Sequence, residues 1–417
     1  DTRDLDREVV PLPYEDDVEV AGIPVTTVCA HNKAEGDHVD EDGEPFHDLK
    51  EVVGLVFELD GVTVYFPSDT DFLSALEGVT ADVFVPPIGG HYTMDRHEAA
   101  AFARSVDPDL VLPVHYDTFD AIETDAEAFA ADLEADGLLC LLSDTIDGEV
   151  MDASPNLEVV STFSVGYDHI DIPAAAERGI AVGHTPGVLS ETTADFAWSL
   201  LMTTARRTVE GQDYVLDGEW ETWGPTLLTG PDVHHATLGV IGLGNIGTEV
   251  ARRGAGFDME VLYSDVERNE AAEADLAESG VDAQYVDQAE LLERSDFVSL
   301  HVPLMEPTHH MIGEEEFKTM KEEAILINTS RGPVIDPAAL DTALANDWIT
   351  RAGLDVTEPE PLPADHELTR HVPEKLVVTP HIASASIQTR NEMARMAADN
   401  LAAGLRGEAL PNSAIED

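Results

Sequence analysis

The sequence predicts an α/β protein whose main unit is a doubly wound parallel sheet. Three observations carry this. From about residue 137 onward, short apolar runs alternate with helical runs, and strands alternating with helices imply parallel pairing. One apolar, β-branched run, 237–241, leads into Gly242-Leu243-Gly244-Asn245-Ile246-Gly247 and then a helical stretch through 257. A further apolar run, 259–263, ends at Asp265.

In that turn Gly242 permits the tight bend, Gly244 lets a phosphate approach the backbone, and Gly247 lets the helix sit close to the strand. The helix start that follows offers free N–H groups to a pyrophosphate. Asp265 stands about twenty residues on, where a carboxylate binds ribose hydroxyls. A lone glycine motif says little. The strand before it, the helix after it and the following acid together favour a dinucleotide over an ordinary turn. Asp265 would repel a 2′-phosphate, so NAD is expected; nearby Arg268 keeps NADP as the lesser alternative.

At 417 residues the chain holds two or three domains. It carries 84 Asp and Glu against 22 Lys and Arg, a formal net charge of −62. Such self-repulsion loosens a compact protein in dilute salt and is screened within about 3 Å in molar salt. The charge points to the cytoplasm of a salt-accumulating halophile. A disordered acidic chain does not fit, because 43% of the residues are hydrophobic and lie in periodic segments. Nucleic acid and anionic membranes are not expected partners at this charge. Cys29 and Cys140 lie in separate apolar segments and read as buried, reduced thiols. No apolar run reaches membrane-spanning length and no signal peptide is expected.

Residues 1–136 alternate short strands with turns. Strands are expected at 18–20, 25–29, 52–59 and 62–66, with Asp60-Gly61 as a hairpin turn. Pro67-Ser68-Asp69-Thr70 follows a strand end. A strand at 82–86 leads into Pro87-Ile88-Gly89-Gly90, a helix covers 97–106, and a strand at 110–113 runs into His115-Tyr116. These pieces resemble the C-terminal half of a metallo-β-lactamase-fold hydrolase of the sugar-lactonase-like branch. The resemblance implies that Asp69 bridges two metals and that His115 is a late ligand, with Ser68 where glycine is usual. The family's His-x-His-x-Asp-His motif is absent from the chain. Two ligands cannot hold a catalytic zinc that needs three plus water. His31, His38, His47 and His91 read as polar loop residues, so no metal is expected.

In the second segment 138–142 is an apolar strand and 148–153 a short helix. A strand at 157–162 precedes the loop Ser164-Val165-Gly166-Tyr167-Asp168. A helix at 172–178 stops at Gly179, a strand covers 180–182, and 191–206 is a long helix whose Trp198 suits a buried or subunit-facing element. Beyond the nucleotide unit come a helix at 271–278 stopped by Gly280, a helix at 288–293, and a strand at 297–302 ending at Pro303. A helical stretch at 317–321 precedes a buried strand at 324–328 and Thr329-Ser330-Arg331-Gly332. Asp336-Pro337 starts a helix, with an acid at the cap and proline in the first turn. A strand at 352–355 leads to Glu358-Pro359-Glu360-Pro361, a strand at 376–379 to Pro380-His381, and a last helix runs from about 385 to 404.

Ligands of a doubly wound sheet sit beyond the strand ends, and Arg331, Glu360 and His381 fall just after such ends. Singly they read as a surface cation, a loop acid and a helix-start cap. Together they suit reduction of a 2-oxoacid. Arginine offers a planar fork to a carboxylate. Histidine gives a proton to the ketone oxygen as hydride arrives. A carboxylate beside that histidine fixes its tautomer and favours its protonated form.

Val165-Gly166-Tyr167-Asp168, the glycine turn, Asn328-Thr329-Ser330-Arg331-Gly332, Gly353-Leu354-Asp355-Val356 with Glu360-Pro361, and Thr379-Pro380-His381 resemble the D-isomer-specific 2-hydroxyacid dehydrogenases, above all their glyoxylate/hydroxypyruvate reductase members. The resemblance runs from about residue 138 to the C-terminus. It implies that Arg331 binds the substrate carboxylate and polarises the carbonyl, that His381 is the acid/base and that Glu360 is its partner. It also implies that backbone N–H groups of Val165 and Gly166 hold the carboxylate. Asn245, Ile246, Asp265, Pro303, Thr329 and Asp355 would line NAD. Leu142, Ser143 and Trp220 would lie at the pocket or its mouth, and two copies would pair through the nucleotide domain.

The expected domains are therefore a partial metallo-β-lactamase-like segment at 1–136, an incomplete flavodoxin-like substrate domain at 137–189 completed by a C-terminal helix in 382–417, and a Rossmann-type NAD domain at 190–381. The β-α-β unit that opens the family's substrate domain is missing before residue 138, which predicts an unpaired strand edge and exposed apolar surface. The alternatives are a chimera that binds NAD without turnover and a metal-dependent hydrolase.

Overall fold

The computed structural model describes residues 12–415 apart from 21, 35, 37, 41, 42 and 119. The described residues form three sheets. The first has six strands in chain order: β1 (Asp17–Val20), β2 (Ile23–Ala30), β3 (Val52–Leu59), β4 (Val62–Phe66), β5 (Val83–Phe84) and β6 (Leu110–Val111). The first four pair antiparallel and the last two join in parallel. Asp60 and Gly61 both take positive φ, as a tight hairpin demands. Helix α1 (Arg96–Val106) is capped by Asp95, and α2 (Ala126–Leu133) by Asp125. Tyr65, Phe84 and Phe102 form the aromatic centre of this unit.

The second sheet is β7 (Gly137–Cys140), β8 (Val159–Thr162) and β9 (Ala181–Gly183), all parallel, with β7 at one edge. Helices α3 (Gly148–Ala153) and α4 (Ile172–Arg178) contribute Met151, Ala174 and Ala175 to its core. The expected stop at Gly179 is a left-handed cap with φ 71°.

The third sheet has seven parallel strands in the order β12 (Ala283–Tyr285), β11 (Glu260–Ser264), β10 (Thr237–Ile241), β13 (Phe297–Leu300), β14 (Ile325–Asn328), β15 (Arg351–Leu354) and β16 (Leu376–Val378). The strand order reverses at β10. Helices α5 (Ser190–Ala205), α7 (Asn245–Gly254) and α8 (Glu270–Glu278) bury Leu201, Val250 and Leu276 in one core. Helices α9 (Gln288–Arg294), α10 (Glu314–Thr319) and α11 (Pro337–Ala345) bury Leu291, Phe317 and Leu340 in another. Leu326 faces one core and Ile327 the other, each fully buried; burying such a side chain stabilises by about 1.5–3 kcal/mol. Trp198 is buried and stacks on Phe257. Helix α12 (Ile387–Leu405) returns to the three-stranded sheet, where a Cβ on its Gly404 would meet Val159 at 2.5 Å.

The six-stranded sheet remains separate, so among the described residues β7 pairs with β8 alone. Leu139, Leu141 and Leu142 are 42%, 50% and 36% exposed, which is the apolar surface that the missing unit predicts. Cys29 and Cys140 are buried and are not joined in a disulfide.

Some elements differ from expectation. The nucleotide helix ends at Gly254 and tightens into a 3-10 turn through Phe257. Helix α10 begins at Glu314, before the expected stretch, because Glu316 accepts from the Gly313 N–H and caps it there. Helix α6 (Thr208–Leu216) and strand β12 were not expected: α6 buries no residue and β12 only Ala283, so neither carries an apolar period.

Candidate active site

The glycine turn lies at the reversal of strand order. Gly242 has φ 91°, and a Cβ there would meet the His301 carbonyl oxygen at 2.7 Å. A Cβ on Gly247 would meet the Gly242 carbonyl oxygen at 2.0 Å, so the helix can approach the turn only with glycine there. Around Gly244, by contrast, a Cβ would find nothing within 4 Å. Gly244 caps α7 without a side-chain hydrogen bond, and Asn245 and Ile246 open the helix.

Asp265 directly follows β11. Its Oδ2 accepts from the Leu243 N–H at 2.8 Å and its Oδ1 from the Val266 N–H at 2.7 Å. Arg268 turns to Glu273 at 2.7 Å. Pro303 follows β13, Thr329 follows β14 and Asp355 follows β15. Thr329 is buried and its Oγ1 has no partner among the described residues. The open space at Gly244, a helix start free of side-chain capping and that unpartnered hydroxyl fit a bound dinucleotide.

Arg331 stands three residues beyond β14. Asn328 shapes its turn: Oδ1 accepts from the Ser330 N–H at 2.9 Å, and Nδ2 donates to the Arg331 carbonyl at 2.8 Å. Glu360 lies in the loop after β15 and His381 just after β16. His381 Nδ1 and Glu360 Oε1 are 2.6 Å apart. Burial acts to raise the Glu360 carboxyl. The hydrogen bond and charge of His381, the Thr357 N–H and Arg331 outweigh it and hold the group below its usual range.

His381 has φ 53°, a strained conformation for a residue with a Cβ. Its N–H donates to the Asp355 carbonyl at 2.8 Å. The Asp355 carboxylate accepts from Thr379 Oγ1 and from the Ile382 and Ala383 N–H groups, so this buried acid clamps the turn that carries His381. Burial pushes its carboxyl above the usual range.

Across from these groups, Ser164 Oγ donates to the Gly166 carbonyl at 2.6 Å, and the Thr185 N–H donates to the Ser164 carbonyl at 2.8 Å. Among the described residues, no hydrogen bond occupies the N–H groups of Val165 or Gly166. Asp168 of the same loop pairs with Arg331. Sequence reasoning missed this contact and the clamp by Asp355. Both residues lie in recognised motifs, but their partners are distant in the chain. Leu142 is 36% and Trp220 61% exposed.

In the first unit His115 Nδ1 lies 3.1 Å from Asp69 Oδ1, and His47 Nε2 lies 3.9 Å from Asp69 Oδ2. The two histidines address different oxygens. The trio is not among the described groups whose donor atoms all lie within 4.8 Å of one another, so it does not fit three ligands on one zinc. His38, Asp71 and Glu98 do converge that closely. There Asp71 is already used by His38, Asn32 and the Lys33 N–H.

Residues 198–383 match the D-isomer specific 2-hydroxyacid dehydrogenase, NAD binding domain, and residues 2–115 match a beta-lactamase superfamily domain. A glyoxylate reductase of Korarchaeum cryptofilum is 53% identical over 280 residues, 67% of this chain and 82% of that protein. The TT0316 protein of Thermus thermophilus has a similar solved structure, with a TM-score of 0.66 at 40% identity over 80% of this chain and 99% of that one. A D-lactate dehydrogenase of Aquifex aeolicus, solved with NAD and lactic acid, has a TM-score of 0.63 at 28% identity over 77% of this chain and 96% of that one.

Proposed function

The chain belongs to the D-isomer-specific 2-hydroxyacid dehydrogenases, NAD-dependent enzymes acting on CH–OH groups, and from that premise we propose that it reduces a small 2-oxoacid of the glyoxylate or hydroxypyruvate class. The observation that carries this reading is the 2.6 Å contact of His381 with Glu360, on the sheet edge that also bears Arg331. NADH, when bound, would supply the hydride. Arg331 and the N–H groups of Val165 and Gly166 hold the substrate carboxylate, and Arg331 polarises the carbonyl. With Nδ1 turned to Glu360, His381 Nε2 delivers the proton to the carbonyl oxygen. The turn at Gly242, Gly244 and Gly247, with Asn245, Ile246, Asp265, Pro303, Thr329 and Asp355, would hold the cofactor. The Arg268–Glu273 pair supports NAD over NADP, since it engages the nearby cation.

The reading includes a cytoplasmic homodimer joined through the nucleotide domain and the domain division at 136, 189 and 381. Among the described residues no helix is long and apolar enough to cross a membrane. The open edge of β7 favours one alternative, a chimera that binds NADH without turnover. NADH oxidation by the full chain in molar KCl, with glyoxylate and with hydroxypyruvate, separates the two. Turnover that disappears in His381→Ala supports the reductase. NADH binding without turnover would leave the chimera.

A further inference from the structure

We propose that Asp168 is a positioning residue that sets which edge of the Arg331 guanidinium meets the substrate; this rests on the reductase reading above. The pair joins two sheets. Arg331 follows β14 of the seven-stranded sheet, and Asp168 lies in the loop after β8 of the three-stranded one, 163 residues away in sequence. Arg331 Nε donates to the two Asp168 oxygens at 3.0 and 3.2 Å, and Nη2 lies 3.0 Å from Oδ1. Nη1 donates to the Ser330 carbonyl at 2.9 Å.

The consequence follows from the shape of the fork. A guanidinium has five N–H donors in one plane. Asp168 takes the side formed by Nε and Nη2, and Ser330 takes one proton of Nη1. What remains is the end formed by Nη1 and Nη2. A substrate carboxylate or ketone oxygen therefore meets Arg331 end-on.

Gly166 makes the seat. A Cβ there would lie 1.9 Å from Arg331 Nη2 and 2.9 Å from Cζ, so the guanidinium rests directly against the Gly166 backbone. Asp168 thus holds the arginine against the loop whose N–H groups face the same substrate. The loop has its own anchors, with His184 Nδ1 2.9 Å from the Val165 carbonyl oxygen. Loss of Asp168 therefore releases the arginine more than the loop.

The test uses the full chain in molar KCl, with NADH and glyoxylate. Asp168→Ala is expected to lower kcat/KM by about 10- to 100-fold, mostly through KM, since small misplacements of a binding group have effects of that order. Asp168→Asn keeps one acceptor and is expected to recover much of the loss. NADH affinity, read by fluorescence, stays at the wild-type value in both.

Wild-type KM in Asp168→Ala would overturn the proposal and leave the reductase reading intact. So would equal loss in both variants accompanied by loss of NADH binding, which marks a purely structural tie. A wild-type chain without turnover would remove the reductase reading and this proposal together.

Discussion

His381 Nδ1 and Glu360 Oε1, 2.6 Å apart, tie the turn after β16 to the loop after β15. The contact orients the imidazole and leaves Nε2 for the substrate. Glu360→Gln keeps the shape but removes the charge. We expect kcat to fall by about 100-fold, the low end of what an acid/base group contributes, with a smaller change in KM. Steady-state NADH oxidation checks this, and a wild-type kcat would reject the pairing as functional.

The same carboxylate predicts a pH dependence of stability. Glu360 is held below its usual range in the folded protein. Its contribution is therefore fully present above the unfolded value, about 4.3, and is lost as pH falls through the lower folded value. Glu360→Gln lacks this contribution. The stability difference between wild type and variant should shrink as pH falls below about 4. Urea denaturation at several pH values in molar KCl measures it; a difference that grows as pH falls below about 4 would contradict the sign.

The edge of β7 makes a third expectation. An unpaired strand with exposed leucines is a template for association with another chain. The paired substitutions Leu139→Lys, on β7, and Leu141→Lys, just beyond its end, put charge at that edge, away from the glycine turn. Light scattering and binding of an apolar dye should both fall, while NADH affinity holds. Unchanged scattering would mean that this edge does not drive association.

The sequence showed different parts of this molecule unequally well. The glycine turn, the stops at Gly179 and Gly280 and the strands of the seven-stranded sheet other than β12 were legible, because each is dictated by local chemistry or a continuous apolar run. Helix α6 was not, since it presents no buried stripe. The site divides in the same way. Arg331, Glu360 and His381 were readable as residues after strand ends. The Asp168–Arg331 pair was not, because only folding brings positions 163 residues apart together. Asp355 was expected to line the cofactor, and its carboxylate is occupied by Thr379, Ile382 and Ala383. A motif names such an acid but does not say which backbone donors reach it.

The last expectation concerns charge. With a formal net of −62, the acids far outnumber the cations available to pair with them. Arg252, Arg253 and Arg395 each contact two carboxylates already. The remaining acids repel across the surface, and at about 1 M salt that repulsion is confined to about 3 Å. The three sheets should not respond alike. The seven-stranded sheet has an extensive core on each face, whereas the three-stranded sheet has one small core and an open edge. On lowering KCl we expect the three-stranded sheet to loosen first, with the nucleotide sheet persisting. Hydrogen exchange followed by peptide mapping would show β7–β9 losing protection at a salt concentration where β10–β16 keep theirs. Turnover would then fail before NADH binding, because the loop bearing Val165, Gly166 and Asp168 hangs from β8. Simultaneous loss of protection in both sheets, or no salt dependence at all, would reject this order.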